Sequence, residues 1–348
     1  MQVYRASESV DDNMTPTTAS ALRAAVAVLA TLVIIFPAFW GGFALWYQIP
    51  GGQVLKGLCV VLWGAFSLAM LTTALWQGRI ALAVIAFSVA LVGLLLWWTR
   101  LTPTNDHDWA DDVAQISTGN VEGNRVTLHN VRTFDWRTQT DYTQRWETRS
   151  YDLDHVRTVD MIMSYWDRPS IAHMLISFGF DDGEQVVFSV EIRRQKTQAF
   201  SEIGGFFKEF ELSIIAADER DVVRLRTNVR GEDDYLYRLQ LSQEAMRLLF
   251  LGYVGEANSL VDSPRFYNTI TVNCTTLVYH MMKRIVGRLP LDYRLLLSGY
   301  LPEYVYRVGG LDRRHSLEEL RRLGHITERA RISDRSESFS ADIRRGIP

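Results

Sequence analysis

Cys274 is the residue of this chain that best fits a chemical role. It follows Asn273, and asparagine favours the N-cap position of a helix. The apolar residues after it recur at helical spacing and a glycine ends the pattern: Leu277, Val278, Met281, Ile285 and Gly287. The first turn of a helix has unpaired N–H groups and the positive end of the helix dipole, which lower the pKa of a thiol. Cys274 is therefore a candidate nucleophile, and a buried structural cysteine is the alternative interpretation.

A thiol nucleophile needs a base and an acceptor that orients the base, and His173 and Glu191 are candidates for these roles. Each lies in an apolar segment, and the two segments are separated by a short polar turn. A three-residue loop over 181–183, with Gly183 in the left-handed conformation, pairs residues whose numbers sum to 364 and places His173 opposite Glu191. A two-residue turn would pair His173 with Ile192 and move Glu191 to the other face. A core histidine and a solvated glutamate remain the alternatives.

The elements around these residues predict a mixed fold. Alternating and β-branched patterns predict strands at 125–131, 171–180, 185–194 and 222–229, and helical spacing predicts helices at 242–257 and 274–286. Strands followed by helices in one region indicate an α+β domain. The polar segment 332–348, rich in serine and arginine, predicts a disordered tail.

The first part of the chain has the pattern of a membrane anchor. Uncharged stretches of 32, 22 and 20 residues separate Arg23, Lys56, Arg79 and Arg100. A helix needs about 20 apolar residues to cross a bilayer. We therefore predict a tail and a three-helix anchor over 1–99, with spans near 24–47, 55–76 and 80–98, followed by a soluble domain over 100–331.

An odd number of spans places the two termini on opposite sides of the membrane. The few arginines favour a cytoplasmic amino terminus and an exported soluble domain. A cleaved signal peptide is the competing interpretation of the first span. Its apolar stretch is too long for that role, however, and two further spans follow it.

Composition argues against several other classes of function. The formal charge is −3 and no basic stripe is present, so nucleic-acid binding is not expected. The seven histidines lack metal-ligand spacing, and we predict neither a metal site nor a cofactor. Cys59 lies in the second predicted span and Cys274 in the soluble domain, so no disulfide is expected.

Short motifs stand in order along the soluble segment: AHMLISF at 172–178, SVEIRR at 189–194, ADERDV at 217–222, YNT at 267–269 and NCTT at 273–276. In sequence and order they resemble the Lnb-type N-terminal periplasmic domain family of bacterial envelopes, over roughly residues 105–330. The resemblance implies a papain-like domain of the circularly permuted NlpC type that works through a cysteine and a histidine.

Carried onto this sequence by position, the resemblance assigns Cys274 as nucleophile, His173 as base and Glu191 as the third member. The neighbouring motif residues are candidate supporting or substrate-binding positions: Asn273, Thr275, Arg193 and Tyr267. A named relative of the family is a lipoprotein N-acyltransferase. The three predicted spans are a layout that the resemblance does not cover.

These inferences together predict a multi-pass protein of the bacterial inner membrane whose carboxy-terminal domain is periplasmic. The expected activity is a cysteine acyltransferase that forms an acyl-thioester and moves an acyl chain from phospholipid to the amino terminus of an envelope lipoprotein. A papain-like cell-wall peptidase or amidase is the second interpretation, and a non-catalytic envelope scaffold is the third. An apolar slot at the site would favour acyl transfer, and a polar cleft would favour peptide cleavage. The oligomeric state is left open.

Overall fold

The chain separates into two compact units, Met1–Thr102 and Pro103–Pro348, in a computed structural model that describes residues 16–348, with side chains from residue 20 onward. The observed boundary lies three residues after the predicted one at 99 and 100. The part of the predicted amino-terminal tail before residue 16 lies outside the described residues.

Three long helices form the described part of the first unit: α1 (Pro16–Gln48), α2 (Gln53–Leu75) and α3 (Ile80–Arg100). They contain segments of 29, 23 and 21 residues that are long and apolar enough to cross a membrane. The indole Nε1 of Trp63 on α2 donates a hydrogen bond to the carbonyl of Ala38 on α1 at 2.9 Å. A side chain at Gly41 would collide with this ring, so the small residue permits close packing of α1 and α2. The three predicted apolar helices are confirmed.

A mixed sheet of eight strands is the centre of the second unit, and it runs in the order β1-β2-β9-β8-β7-β6-β10, with β5 also paired to β2. The pairing is antiparallel except between β2 and β9. A separate two-stranded sheet joins β3 and β4. The strands are β1 (Thr118–Glu122), β2 (Arg125–Arg132), β3 (Asp135–Trp136), β4 (Tyr142–Thr143), β5 (Trp146–Asp152), β6 (Val156–Tyr165), β7 (His173–Phe180), β8 (Gln185–Arg193), β9 (Glu211–Ala217) and β10 (Asp233–Arg238).

Helices cover both faces of this sheet, which is why its central strands are apolar on both sides. They are α4 (Glu219–Arg224), α5 (Gln243–Asp262), α6 (Cys274–Val286), α7 (Leu301–Arg307), α8 (Leu317–Gly324), α9 (Thr327–Ile332) and α10 (Phe339–Ile343). On one face Met174, Ile176 and Phe178 of β7 join a core with residues of α5 and α6. On the other face Leu175 joins a core with Phe339. The α+β class is confirmed.

The predicted disordered tail over 332–348 is wrong. Phe339 and Ile343 are fully buried, and Arg344 makes ion pairs with the buried carboxylates of Asp160 and Glu219. The arginine of this polar segment complements one acid on β6 and one on α4, and composition alone does not reveal such partners. Residues 332–348 therefore belong to the folded second unit.

The predicted strand at 222–229 is also wrong, since this segment is helical. Asp218 accepts a hydrogen bond from the backbone N–H of Arg220 at 2.9 Å and begins α4. A π-helix over Leu225–Arg230 continues it and ends at Gly231 in the left-handed conformation. The change from strand to helix determines where Arg226 lies, which is important for the site.

Candidate active site

The thiol of Cys274 lies at the first residue of α6, and the chain before it fixes this helix start. The side-chain carbonyl of Asn273 accepts hydrogen bonds from the N–H groups of Thr275 at 2.9 Å and Thr276 at 2.8 Å. The hydroxyl of Thr276 in turn accepts from the N–H of Asn273 at 2.9 Å, which completes a capping box. Cys274 is 7 % exposed, so its thiol is held in place and sheltered from bulk water.

The hairpin of β7 and β8 has the register that the sequence predicts. Leu175 pairs with Ser189. The N–H of Phe180 donates to the carbonyl of Glu184 at 3.0 Å, and Gly183 has a φ of 88°. The three-residue loop therefore brings His173 and Glu191 to the same face, where His173 Nε2 lies 3.2 Å from Glu191 Oε1.

Ser189 lies between these two side chains and was not among the predicted residues. His173 Nε2 is 2.7 Å from Ser189 Oγ, and the Ser189 hydroxyl donates to Glu191 Oε1 at 2.6 Å. With Nε2 engaged in this way, Nδ1 is the ring nitrogen left for the Cys274 thiol, whose pKa is lowered by the nearby His173. The structure thus brings Cys274, His173 and Glu191 together in one site.

The charges of these three side chains favour a thiolate–imidazolium pair. Burial and the charge of Arg226 lower the pKa of His173. The charge of Glu191 and the interactions with Cys274 and Glu191 outweigh them and raise this pKa to about 9. Burial raises the pKa of Cys274, but the hydrogen bond and charge of His173 and the backbone N–H of Met174 lower it overall. Despite burial, the pKa of Glu191 is held far below its ordinary value, chiefly by His173 and Arg226. A lowered pKa raises the fraction of the thiol that is present as thiolate.

Arg226 is a second residue of the site that sequence reasoning missed. Its Nη2 donates to Glu191 Oε1 at 3.3 Å, and its Nη1 donates to Glu232 Oε2 at 3.1 Å. Arg226 is buried and Glu191 is partly buried, so the guanidinium stabilises Glu191 as a carboxylate and fixes its orientation. The sequence does contain a signal for the helix that precedes Arg226. Asp218 is an N-cap residue, and it is followed by Glu219 in an acidic first turn.

Behind Arg226 lies a buried group of acids. The Ser164 hydroxyl lies 2.5 Å from Glu232 Oε2 and 2.5 Å from Asp234 Oδ1. The single hydrogen of the Ser164 hydroxyl can be donated to only one of these carboxylates. The other contact needs a proton on the carboxyl group itself. Burial raises the pKa of Asp234 to about 7, whereas the charge of Arg226 keeps the pKa of Glu232 low against burial. Asp234 is therefore the acid that carries the second proton near neutral pH.

The predicted supporting residues fall into two groups. Asn273 caps α6, Thr275 Oγ1 lies 3.9 Å from the Cys274 sulfur, and Tyr267 lies near enough that burial and the charges of Cys274 and Glu191 raise its pKa. Arg193 is different, since its guanidinium donates to the carbonyls of Val113 and Ala114. It also stacks on a tryptophan ring of the segment before β1, and it holds that segment to the sheet rather than serving the site.

The fold and the site together define an α+β domain with a buried cysteine and a partly buried histidine and glutamate, where the start of a helix meets a hairpin. Residues 142–299 match the model of the family described as Lnb N-terminal periplasmic domain, and this range includes all three site residues. The resemblance stated from the motifs is thereby confirmed. No curated protein and no solved structure matches the chain. The chain thus combines a segment that matches a periplasmic domain family with three apolar helices of membrane-spanning length.

Proposed function

We propose that this protein is a membrane-anchored periplasmic cysteine acyltransferase that moves an acyl chain from phospholipid to the amino terminus of a lipoprotein. The observation that carries the proposal is the grouping of Cys274, at a helix start, with His173 and with Glu191, which lies 3.2 Å from the His173 ring. The three apolar helices supply a reason for a lipid substrate, because they attach the same chain to a bilayer.

In the first half of the reaction, His173 Nδ1 takes the thiol proton and the Cys274 sulfur attacks the ester carbonyl of a phospholipid. The oxyanion that forms needs a donor. As the first residue of α6, Cys274 has a backbone N–H with no acceptor inside the helix, and this group is placed to donate. Collapse of the intermediate breaks the ester bond, and the His173 imidazolium returns the proton to the leaving lysophospholipid oxygen. The acyl chain is left as a thioester on Cys274.

In the second half, the terminal amine of the acceptor attacks the thioester carbonyl. His173 accepts a proton from the attacking nitrogen and gives it to the departing sulfur, so an amide forms and the thiol is restored. Glu191, held by Ser189 and Arg226, stabilises the imidazolium in both halves. The reaction balances without a cofactor.

The test is acyl transfer by the full chain in phospholipid vesicles. The acceptor is a diacylated lipopeptide with a free amino-terminal amine, and mass spectrometry follows lipopeptide and lysophospholipid together. We expect one acyl chain gained for each lysophospholipid released, no reaction with Cys274→Ala, and full reaction with the matched control Cys59→Ala. An unchanged lipopeptide, together with cleavage of cell-wall muropeptides by the same preparation, would overturn the proposal in favour of a peptidase.

A further inference from the structure

Four loops of the second unit either precede Cys274 and His173 directly in the chain or contact a loop that does. The segment 166–172 leads directly into His173, and 267–272 leads into Asn273 and Cys274. The N–H of Thr269 donates to the carbonyl of Gly205 at 3.3 Å, which joins the second loop to the segment 200–206.

Two further contacts connect the first loop to the segment 200–206 and to the segment 296–299. Arg168 lies 3.9 Å from Glu202, so the first loop also meets the segment 200–206. Ser298 donates to the carbonyl of Ala172 at 2.7 Å and accepts from its N–H at 3.0 Å. The segment 296–299 is thereby fixed beside the entry to His173.

The four loops expose large apolar side chains, and we refer to these as the apolar rim: Trp166, Phe200, Ile203, Phe206, Ile270, Leu296 and Leu297. Their exposed fractions lie between 38 and 60 %. Single exposed apolar residues are ordinary on a protein surface, but seven on four connected loops next to one buried thiol are not. Such a cluster marks a surface that meets an apolar partner.

We propose that the apolar rim is a docking surface for the acyl-chain region of a phospholipid bilayer, which it enters so that an ester carbonyl reaches Cys274. This inference rests on the proposed function and adds the place where the lipid enters. The occupant is argued from the chain itself, since the second unit follows α3 after two residues and is thus tethered to any bilayer that α3 spans. Aromatic and aliphatic side chains at a membrane interface bury their apolar surface among lipid chains.

The test uses the full chain in phospholipid vesicles with one fluorescent label that responds to polarity. The background Cys59→Ala with Cys274→Ser leaves a single cysteine for the label, introduced by Ile203→Cys. The matched control is Val121→Cys, because Val121 is 48 % exposed and Ile203 is 49 % exposed, yet Val121 lies on β1, outside the four loops. Lipids with a nitroxide on the acyl chain quench a label that enters the bilayer.

We expect the label at position 203 to shift its emission to shorter wavelength and to be quenched by the nitroxide lipids, with neither effect at position 121. A label at 203 that stays in water would overturn the proposal. A label at 203 that leaves water only after a lipopeptide is added would also overturn it, and would assign the rim to a protein acceptor.

A second readout separates this inference from the proposed function. With Cys274 intact, Ile203→Glu should lower thioester formation from vesicle phospholipid by about tenfold or more, which corresponds to the loss of one buried apolar side chain. Its rate with a water-soluble short-chain ester should be unchanged. Equal losses with both esters would contradict the docking role while the acyltransferase remains supported. Insertion of the label with no thioester on Cys274 from either ester would retain the surface and refute the acyltransferase.

Discussion

Glu191→Gln removes one charge from the site with little change in shape, and its effect can be worked from the structure. Glu191 Oε1 lies 3.2 Å from His173 Nε2 and 3.3 Å from Arg226 Nη2. The charge of Glu191 is the largest of the causes that raise the pKa of His173 from 6.5 to about 9. That rise corresponds to about 3 kcal/mol in favour of the imidazolium, since one pKa unit is worth about 1.4 kcal/mol.

Without the carboxylate, burial and the charge of Arg226 both act to lower the pKa of His173, and the ring is neutral at pH 7. Cys274 then loses the positive charge that lowers its pKa, so its thiolate fraction at pH 7 should fall. The assay is the rate of Cys274 alkylation by iodoacetamide as a function of pH, read by intact mass. The midpoint of the profile should move to higher pH in Glu191→Gln.

The matched control is Glu184→Gln, which removes an exposed carboxylate from the same hairpin. Its profile should coincide with that of the unchanged protein. A Glu191→Gln profile that also coincides with it would refute the thiolate–imidazolium pair, because the pair depends on this carboxylate.

Three further predictions concern stability and topology. Arg344→Ala should lower the free energy of unfolding by about 3–5 kcal/mol, because it leaves Asp160 and Glu219 buried without their cation. The control Arg345→Ala removes an exposed neighbouring side chain and should lower it by less than about 1 kcal/mol. Equal effects of the two substitutions would contradict the folded tail. Gly183→Ala should cost about 1 kcal/mol, because its φ of 88° suits glycine, and an unchanged unfolding midpoint would contradict the turn. Alkaline phosphatase, active only when exported, should be active when fused after residue 100 and inactive near Arg79, and the reverse pattern would place Cys274 in the cytoplasm.

The site could be predicted where short-range rules determine the geometry. Asn273 is an N-cap by residue type, and the capping box fixes where the thiol stands. The loop ending at Gly183 sets the strand register, so two residues 18 positions apart in sequence were correctly placed on one face. Both inferences needed only residues close to each other in the chain.

The parts that were missed depend on partners distant in sequence. Val222 and Val223 favour a strand by type, but the cap at Asp218 and burial against the sheet impose a helix, and so Arg226 reaches Glu191. From its sequence context Arg344 is expected to be a solvated charge, because its partners Asp160 and Glu219 are distant in sequence. Arg193 shares a motif with Glu191 but binds the segment before β1. Sequence spacing reports none of these contacts.

The most direct test of the account is to trap the thioester itself. The full chain is incubated with phospholipid that carries an isotopically labelled acyl chain, with no amine acceptor present, and the peptides are analysed by mass spectrometry. A covalent mechanism through Cys274 predicts a labelled acyl group on this residue that hydroxylamine removes, and no adduct on that peptide in Cys274→Ala or on Cys59 in the unchanged protein. Transfer of the labelled chain to a later-added lipopeptide, with Cys274 free of acyl group throughout, would contradict the covalent mechanism.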